Sequence, residues 1–173
     1  MKNLRLLSAL LLGVMPYAFG ATVTSTFTIS ARINNGCQLG GSGTGNGSFG
    51  ALNFGTMVDL HNSRDVISTL GAGSIVLTCT PGTSVTIAMD GGQNGGSSAL
   101  RYLINSAGTR KIGYQLYQNA SRSVVWGTGA QVMSIASFPA TTQTYTVYGR
   151  LPADGTSPPA GTYTDNVTVT FTF

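Results

Sequence analysis

Few residues in this chain could do chemistry. His61 is the only histidine and lies in VDLHNSRD, residues 58–65, with Asp59, Ser63 and Asp65 close in sequence. A catalytic base needs a positioned partner and a nucleophile within reach. The loop holds the right residue types but no strand–turn–helix nucleophile signature. Two readings follow: a hydrolase built on His61, or an exposed loop histidine, which is the simpler one. Asp90 and Asp154 each precede a glycine. Neither opens a calcium-loop pattern, and Asx-turn roles fit them better. Trp126, followed by Gly127, could stack on a sugar or pack at a strand end. Cys37 and Cys79 are the two cysteines. With one histidine and no nearby acidic cluster they make poor metal ligands. The residues call for no cofactor and point to no enzyme.

The elements that position these residues begin with a leader. MKNLRLLSALLLGVMPYAFG, residues 1–20, places Lys2 and Arg5 before an apolar run and ends on Ala18-Phe19-Gly20. This is the pattern of a signal peptide cleaved near Gly20, too short for a membrane span. Export carries both cysteines into an oxidising compartment, where one disulfide is the simple reading and a metal pair the rival. A bridge closing a loop of about 43 residues is worth roughly 4 kcal/mol in chain entropy. Without Lys2 and Arg5 the net charge is about +2, and the basic residues are scattered apart from Arg110-Lys111. That is no nucleic-acid footprint.

Beyond the leader the chain reads as one all-β domain. Glutamate is absent, and Gly, Thr and Ser recur between short alternating runs, the pattern of a sandwich. Strands are predicted over Thr22–Ile33, Ala51–Gly55, Ser74–Cys79, Val85–Met89, about 99–105, Ile112–Tyr117, Thr142–Leu151 and Thr162–Phe173. Thr56–Gly73 reads as loop with room for a helical turn. DGGQNGGSS, residues 90–98, and PADGTSPPAG, residues 152–161, read as turn-rich connections.

The terminal strands carry the clearest functional signal. Thr22–Ile33 alternates polar residues with Val23, Ser25, Phe27, Ile29, Ala31 and Ile33, and the last strand alternates Val167, Val169, Phe171 and Phe173. The first is followed, after Cys37, by glycine-rich chain, so it can leave the body. A sandwich ending on such a strand is expected to lack a neighbour at that edge. Open edges aggregate unless covered, and a strand from another molecule is a natural cover. Head-to-tail donation does not close on itself and so builds a fibre. The alternative is that Thr22–Ile33 completes its own domain.

The chain resembles the spore coat protein U domain family, and within it the major pilins of archaic chaperone–usher pili. The segments that carry the resemblance are NNGCQLGGSGTGNGSFGALNFG (34–55), SIVLTCTPGTSVTIAMDGG (74–92), ALRYLINSAGTRKIGYQLYQNASRSVVWG (99–127) and TYTVYGRLPADGTSPPAGTYTDNVTVTFTF (144–173). Single pieces are weak; their order and spacing across the mature chain make the match. The resemblance implies an incomplete immunoglobulin-like β-sandwich completed by a donor strand from a neighbouring subunit. It implies a periplasmic chaperone that lends a strand, an outer-membrane usher, identical or homologous pilin subunits as partners, and a surface pilus serving attachment and biofilm formation. Residues 1–20 are then the leader, 21–33 the donor segment and 34–173 the pilin domain. Val23, Phe27, Ile29, Ala31 and Ile33 would fill a groove drawing on Val167, Val169, Phe171 and Phe173, and Cys37 and Cys79 match the family's disulfide pair. A shaft subunit is favoured over a minor adaptor. The rival outside the family is a secreted monomeric glycan-binding module using Trp126.

Overall fold

The computed structural model describes residues 25–40 and 49–173. The expected leader, residues 1–20, and the expected donor residue Val23 lie outside the described residues. The chain divides after Ile33 into two parts, and each is taken by itself.

In the first part, Ser25–Ile33 has no regular secondary structure and every residue is exposed. Phe27 and Ile29 are each 82% accessible and Ile33 is 89%. The strand expected over Thr22–Ile33 is therefore not formed by its described residues. The reason is physical: alternation prepares one side of a ladder, but a strand exists only when another edge accepts its backbone hydrogen bonds.

The second part, Asn34–Phe173, is all-β. Its described strands are β1 (Cys37–Leu39), β2 (Arg64–Ile67), β3 (Ile75–Cys79), β4 (Val85–Met89), β5 (Arg101–Asn105), β6 (Lys111–Tyr117), β7 (Met133–Ile135), β8 (Gln143–Tyr145), β9 (Tyr148–Leu151), β10 (Tyr163–Thr164) and β11 (Val169–Thr172). They form three antiparallel sheets ordered β1-β3-β8, β10-β5-β6-β9-β2 and β11-β4-β7. The strongest alternation sits in β3 and β4. Ile75, Leu77, Cys79, Val85, Ile87 and Met89 point inward and are buried. The Thr80–Thr83 turn between them puts Gly82 at φ +83°, and it delivers consecutive strands to different sheets. The core adds Phe54, Leu60, Ile112, Tyr114, Leu116, Trp126, Phe138, Val147 and Leu151.

Several sequence boundaries are corrected. Ala51–Gly55 is not a strand; only Gly50 makes an isolated bridge, to Ala72, while Phe54 is buried as a loop anchor. Thr56–Gly73 holds no helical turn and contains β2, paired to β9 from Arg64↔Leu151 to Ile67↔Tyr148. Its RDVI sequence carries too little alternation to be seen alone. The continuous strand expected over Thr142–Leu151 is two strands in two sheets, because the backbone changes partner near Val147 while the inward parity continues. Thr162–Phe173 divides the same way, into β10 beside β5 and β11 beside β4.

Candidate functional site: a groove between two open edges

The alternation of the last segment governs its burial. Tyr163, Asp165, Val167, Val169 and Phe171 are half-buried, and the residues between them are exposed. Val167, Val169 and Phe171 pack against the core, and Phe173 is 58% accessible. β11 bonds to β4 on one side through Val169↔Met89, Thr170↔Ala88, Phe171↔Ile87 and Thr172↔Thr86. It is the terminal strand of its sheet, as β1 is of another.

Between those edges lies a cleft of ≈ 260 Å³ lined by Cys37, Leu39, Phe171 and Phe173. Its walls are mostly apolar, and Phe49 stands 6.1 Å from Phe171 in a tilted ring pair. β1 is held to β3 through Cys37↔Cys79, Gln38↔Thr78 and Leu39↔Leu77, and the first of these pairs is a disulfide. The expected acceptor residues Phe171 and Phe173 thus meet in one cleft. Val167 and Val169 do not line it; they continue the same face further back. The β1 wall, Cys37 and Leu39, was not singled out as groove from sequence. The available signal was Cys37-x-Leu39, two apolar residues of one parity just before the glycine-rich stretch.

The start of β11 is set by two carboxylates. Asp90 accepts the backbone N–H of Gly92 and of Thr168, each at 2.9 Å. Burial pushes the Asp90 carboxyl up, but these backbone donors and the nearby Arg101 charge outweigh it, and the net shift is downward. Asp165 accepts the Tyr114 hydroxyl at 2.7 Å, the Gln93 N–H at 2.9 Å and Asn94 Nδ2 at 3.0 Å. Burial, then the bond to Asp165, holds the Tyr114 hydroxyl far above its ordinary range. The glycine-rich 90–96 loop is thereby explained: a Cβ on Gly92, at φ +79°, would collide with the Asp165 carboxylate. The glycines let backbone wrap a carboxylate.

Behind this loop, Arg101 is fully buried. It donates to the carbonyls of Asp90 (2.8 Å), Met89 (3.2 Å) and Trp126 (2.7 Å) and to Gln115 Oε1. Sequence reasoning missed it, since a charge inside an alternating strand is expected to face water.

The chemical candidates come apart. Trp126 is fully buried and its indole N–H donates to the Ile87 carbonyl at 2.9 Å, so the glycan-stacking reading of Trp126 is overturned. His61 Nδ1 lies 3.1 Å from Asp59, both well exposed. Asp65 is engaged instead by Arg150, through bonds of 2.7 and 2.8 Å, and Ser63 Oγ accepts the Ala153 N–H. The residue types of a hydrolase are present in the loop, but Ser63 and Asp65 are bonded away from the exposed His61–Asp59 pair. Asp154 accepts from Thr156, the Asx-turn role expected. Among the described residues no group of three or more His, Cys, Asp or Glu could hold a metal ion, and no helix is long and apolar enough to cross a membrane.

An all-β body with an apolar groove between two unpaired edges is the class of protein the geometry defines. The Spore Coat Protein U domain model matches residues 23–170, and the chain belongs to that family. It is 34% identical over 166 residues to Protein U of Myxococcus xanthus, covering 90% of this chain and 88% of that protein. Its fold is similar to one in the crystal structure of the CsuC–CsuE chaperone–tip adhesion subunit pre-assembly complex from archaic chaperone–usher Csu pili of Acinetobacter baumannii, with TM-score 0.54 and 24% identity. That match covers 82% of this chain and 40% of the other, so this chain spans less than half the length of that relative.

Proposed function

We propose that this chain is a structural subunit of a chaperone–usher surface pilus, and that subunits join by donating the 21–33 segment into the β1/β11 groove of a neighbour. One observation carries the reading: two sheets end in unpaired edges that share an apolar cleft lined by Cys37, Leu39, Phe171 and Phe173. An inserted strand finds backbone partners on both sides and a floor for alternate side chains. The exposed Phe27, Ile29 and Ile33 have the complementary pattern, with Ala31 at the same parity and Ser25 at a shallower position. Burial of each large side chain contributes roughly 1.5–3 kcal/mol. Several together with a ladder hold subunits without a cofactor or nucleotide, even after the cost of association. Family membership supports the placement, and the likeness to a subunit bound to its chaperone supports a fold open to strand addition. On this reading the chain is exported by its leader, capped by a periplasmic chaperone that fills the same groove, passed to an outer-membrane usher, and displayed in a fibre serving attachment and biofilm formation. A donor segment beside a groove in the same chain favours a shaft position, where each subunit both gives and receives a strand.

The test is removal of Thr22–Ile33 from the mature chain. The expected result is a folded body that binds chaperone but forms no multimers, with a synthetic Thr22–Ile33 peptide occupying the groove. Fibres of ordinary length from the truncated chain would overturn the donor assignment.

A further inference from the structure

We infer that the Cys37–Cys79 disulfide is a load clamp: it passes tension from the donor arm into the core and keeps that tension off the groove wall. The inference rests on the strand-donation reading above. In a head-to-tail fibre each subunit is pulled through its own arm, residues 21–33, while its groove grips the next arm. The pull enters the body at Asn34 and meets Cys37 three residues later. Cys37 is the first residue of β1 and also lines the groove. One short strand is therefore both the entry point of the load and a wall of the site that must resist it.

Without the disulfide that strand is weakly held. β1 has three residues and, among the described residues, pairs only with β3. Its flanks add the Thr80 N–H to Gly36 carbonyl bond and the Gly40 N–H to Val76 carbonyl bond, both 2.9 Å. A pull at its leading end loads these bonds one after another, so they open in sequence rather than together. Leu39 would then leave the groove it lines, and the neighbour's strand would lose one side. The disulfide sits one residue behind the Gly36–Thr80 bonds, at the residue where peeling of β1 itself must begin. It ties Cys37 to Cys79, the buried last residue of β3, and β3 lies between β1 and β8 with Ile75 and Leu77 in the core. Tension thus reaches an interior strand through a covalent bond before any β1 hydrogen bond carries it.

Without the bridge, β1 can peel from Cys37 as far as Gly40, whose N–H holds the Val76 carbonyl at 2.9 Å, and the chain so freed lengthens the subunit.

The experiment is single-molecule stretching of multimers of the mature chain, comparing wild type with Cys37→Ser/Cys79→Ser and checking each fold by Trp126 fluorescence. The expected result is an extra lengthening step per subunit in the double variant before the fibre parts, absent from the wild type, together with a lower parting force. If the double variant does not fold, wild-type fibres are assembled first and then reduced and alkylated, with thiol capture confirming cleavage. Identical force–extension curves with and without the bridge would overturn the clamp while leaving strand donation standing. Failure of wild-type chains to form head-to-tail multimers would overturn strand donation and the clamp with it.

Discussion

The centre of the body and its margin are built on opposite terms. At the centre, β4, β5 and β6 enclose Arg101, Gln115, Tyr114 and Trp126. Each of their polar heads has protein partners: the Arg101 guanidinium meets three carbonyls and Gln115, Tyr114 meets Asp165, and the indole meets Ile87. At the margin, β1 and β11 are short, half-exposed and bonded on one side only. The centre keeps a fixed shape because a buried polar network tolerates no loose member. The margin leaves an apolar face and backbone groups open, which is what the proposed strand addition requires. The two regions should therefore respond differently to substitution, the centre through stability and the margin through association.

The largest effect is expected at the centre. Arg101→Met removes the donor to three carbonyls and one of the two donors to Gln115 Oε1, which keeps the Leu116 N–H, while the new side chain fills much of the space. Groups left unsatisfied cost about 1–3 kcal/mol each, and breaking a buried charged network about 3–5 kcal/mol in all. Denaturant unfolding followed by Trp126 fluorescence should show a loss in that range. A loss below about 1 kcal/mol would mean the network contributes little and the comparison is mistaken.

Tyr114→Phe comes next. It keeps the ring packed against Phe54, whose centroid is 6.0 Å away, and deletes only the hydroxyl bonded to Asp165. A bond to a charged acceptor is worth about 1.5–3 kcal/mol. The same unfolding assay reads it, and the loss should shrink in an Asp165→Ala background, since the two groups share one bond.

These central residues were the least legible part of the chain. Alternation marked the inward faces of β3, β4 and the final segment, because burial on one side of a pleat leaves a period of two. The same signal hid the places where backbone changes sheet. Through Val147 and through Val167 the inward parity continues unbroken while the hydrogen-bonding partner is replaced, and side-chain type does not record partners. Arg101 and Trp126 were hidden for another reason: their placement depends on carbonyls from Ile87, Met89 and Asp90, distant in sequence. At the margin, Phe171 and Phe173 were readable from their period, whereas Cys37 and Leu39 became groove wall only through β1's place beside β3.

Phe171→Ser tests the margin. The side chain is half-buried in the isolated body, so unfolding stability should fall by about 1 kcal/mol, well short of a full Phe burial. Multimer formation and uptake of a Thr22–Ile33 peptide should fall far more, because the inserted strand loses the residue common to β11 and the cleft. A variant that unfolded as severely as Arg101→Met, with unchanged peptide uptake by the folded fraction, would reverse the assignment of the two regions.

The smallest effect lies where the regions join. Asp90 sits at the end of β4 in the centre and accepts the N–H of Thr168 at the threshold of β11 in the margin. Its folded carboxyl titrates below the ordinary carboxylate value. The stability it contributes is present above the unfolded value, near pH 4, and is lost as pH falls through the lower folded value. Both of its backbone bonds use Oδ1, and an asparagine carbonyl can accept both. Asp90→Asn should therefore cost less than about 1 kcal/mol at pH 7, given the partial exposure of the site. It should narrow that difference as pH drops below 4, because the amide does not titrate. Arg101 and Asp165 face the same loop, so the comparison is made in a pair of chains differing only at residue 90. Unfolding curves collected from pH 7 to pH 2 would show the two chains converging on the acid side. Parallel curves would mean that Asp90 does not couple β4 to β11 through its charge, and that the margin is held in register by the ladder alone.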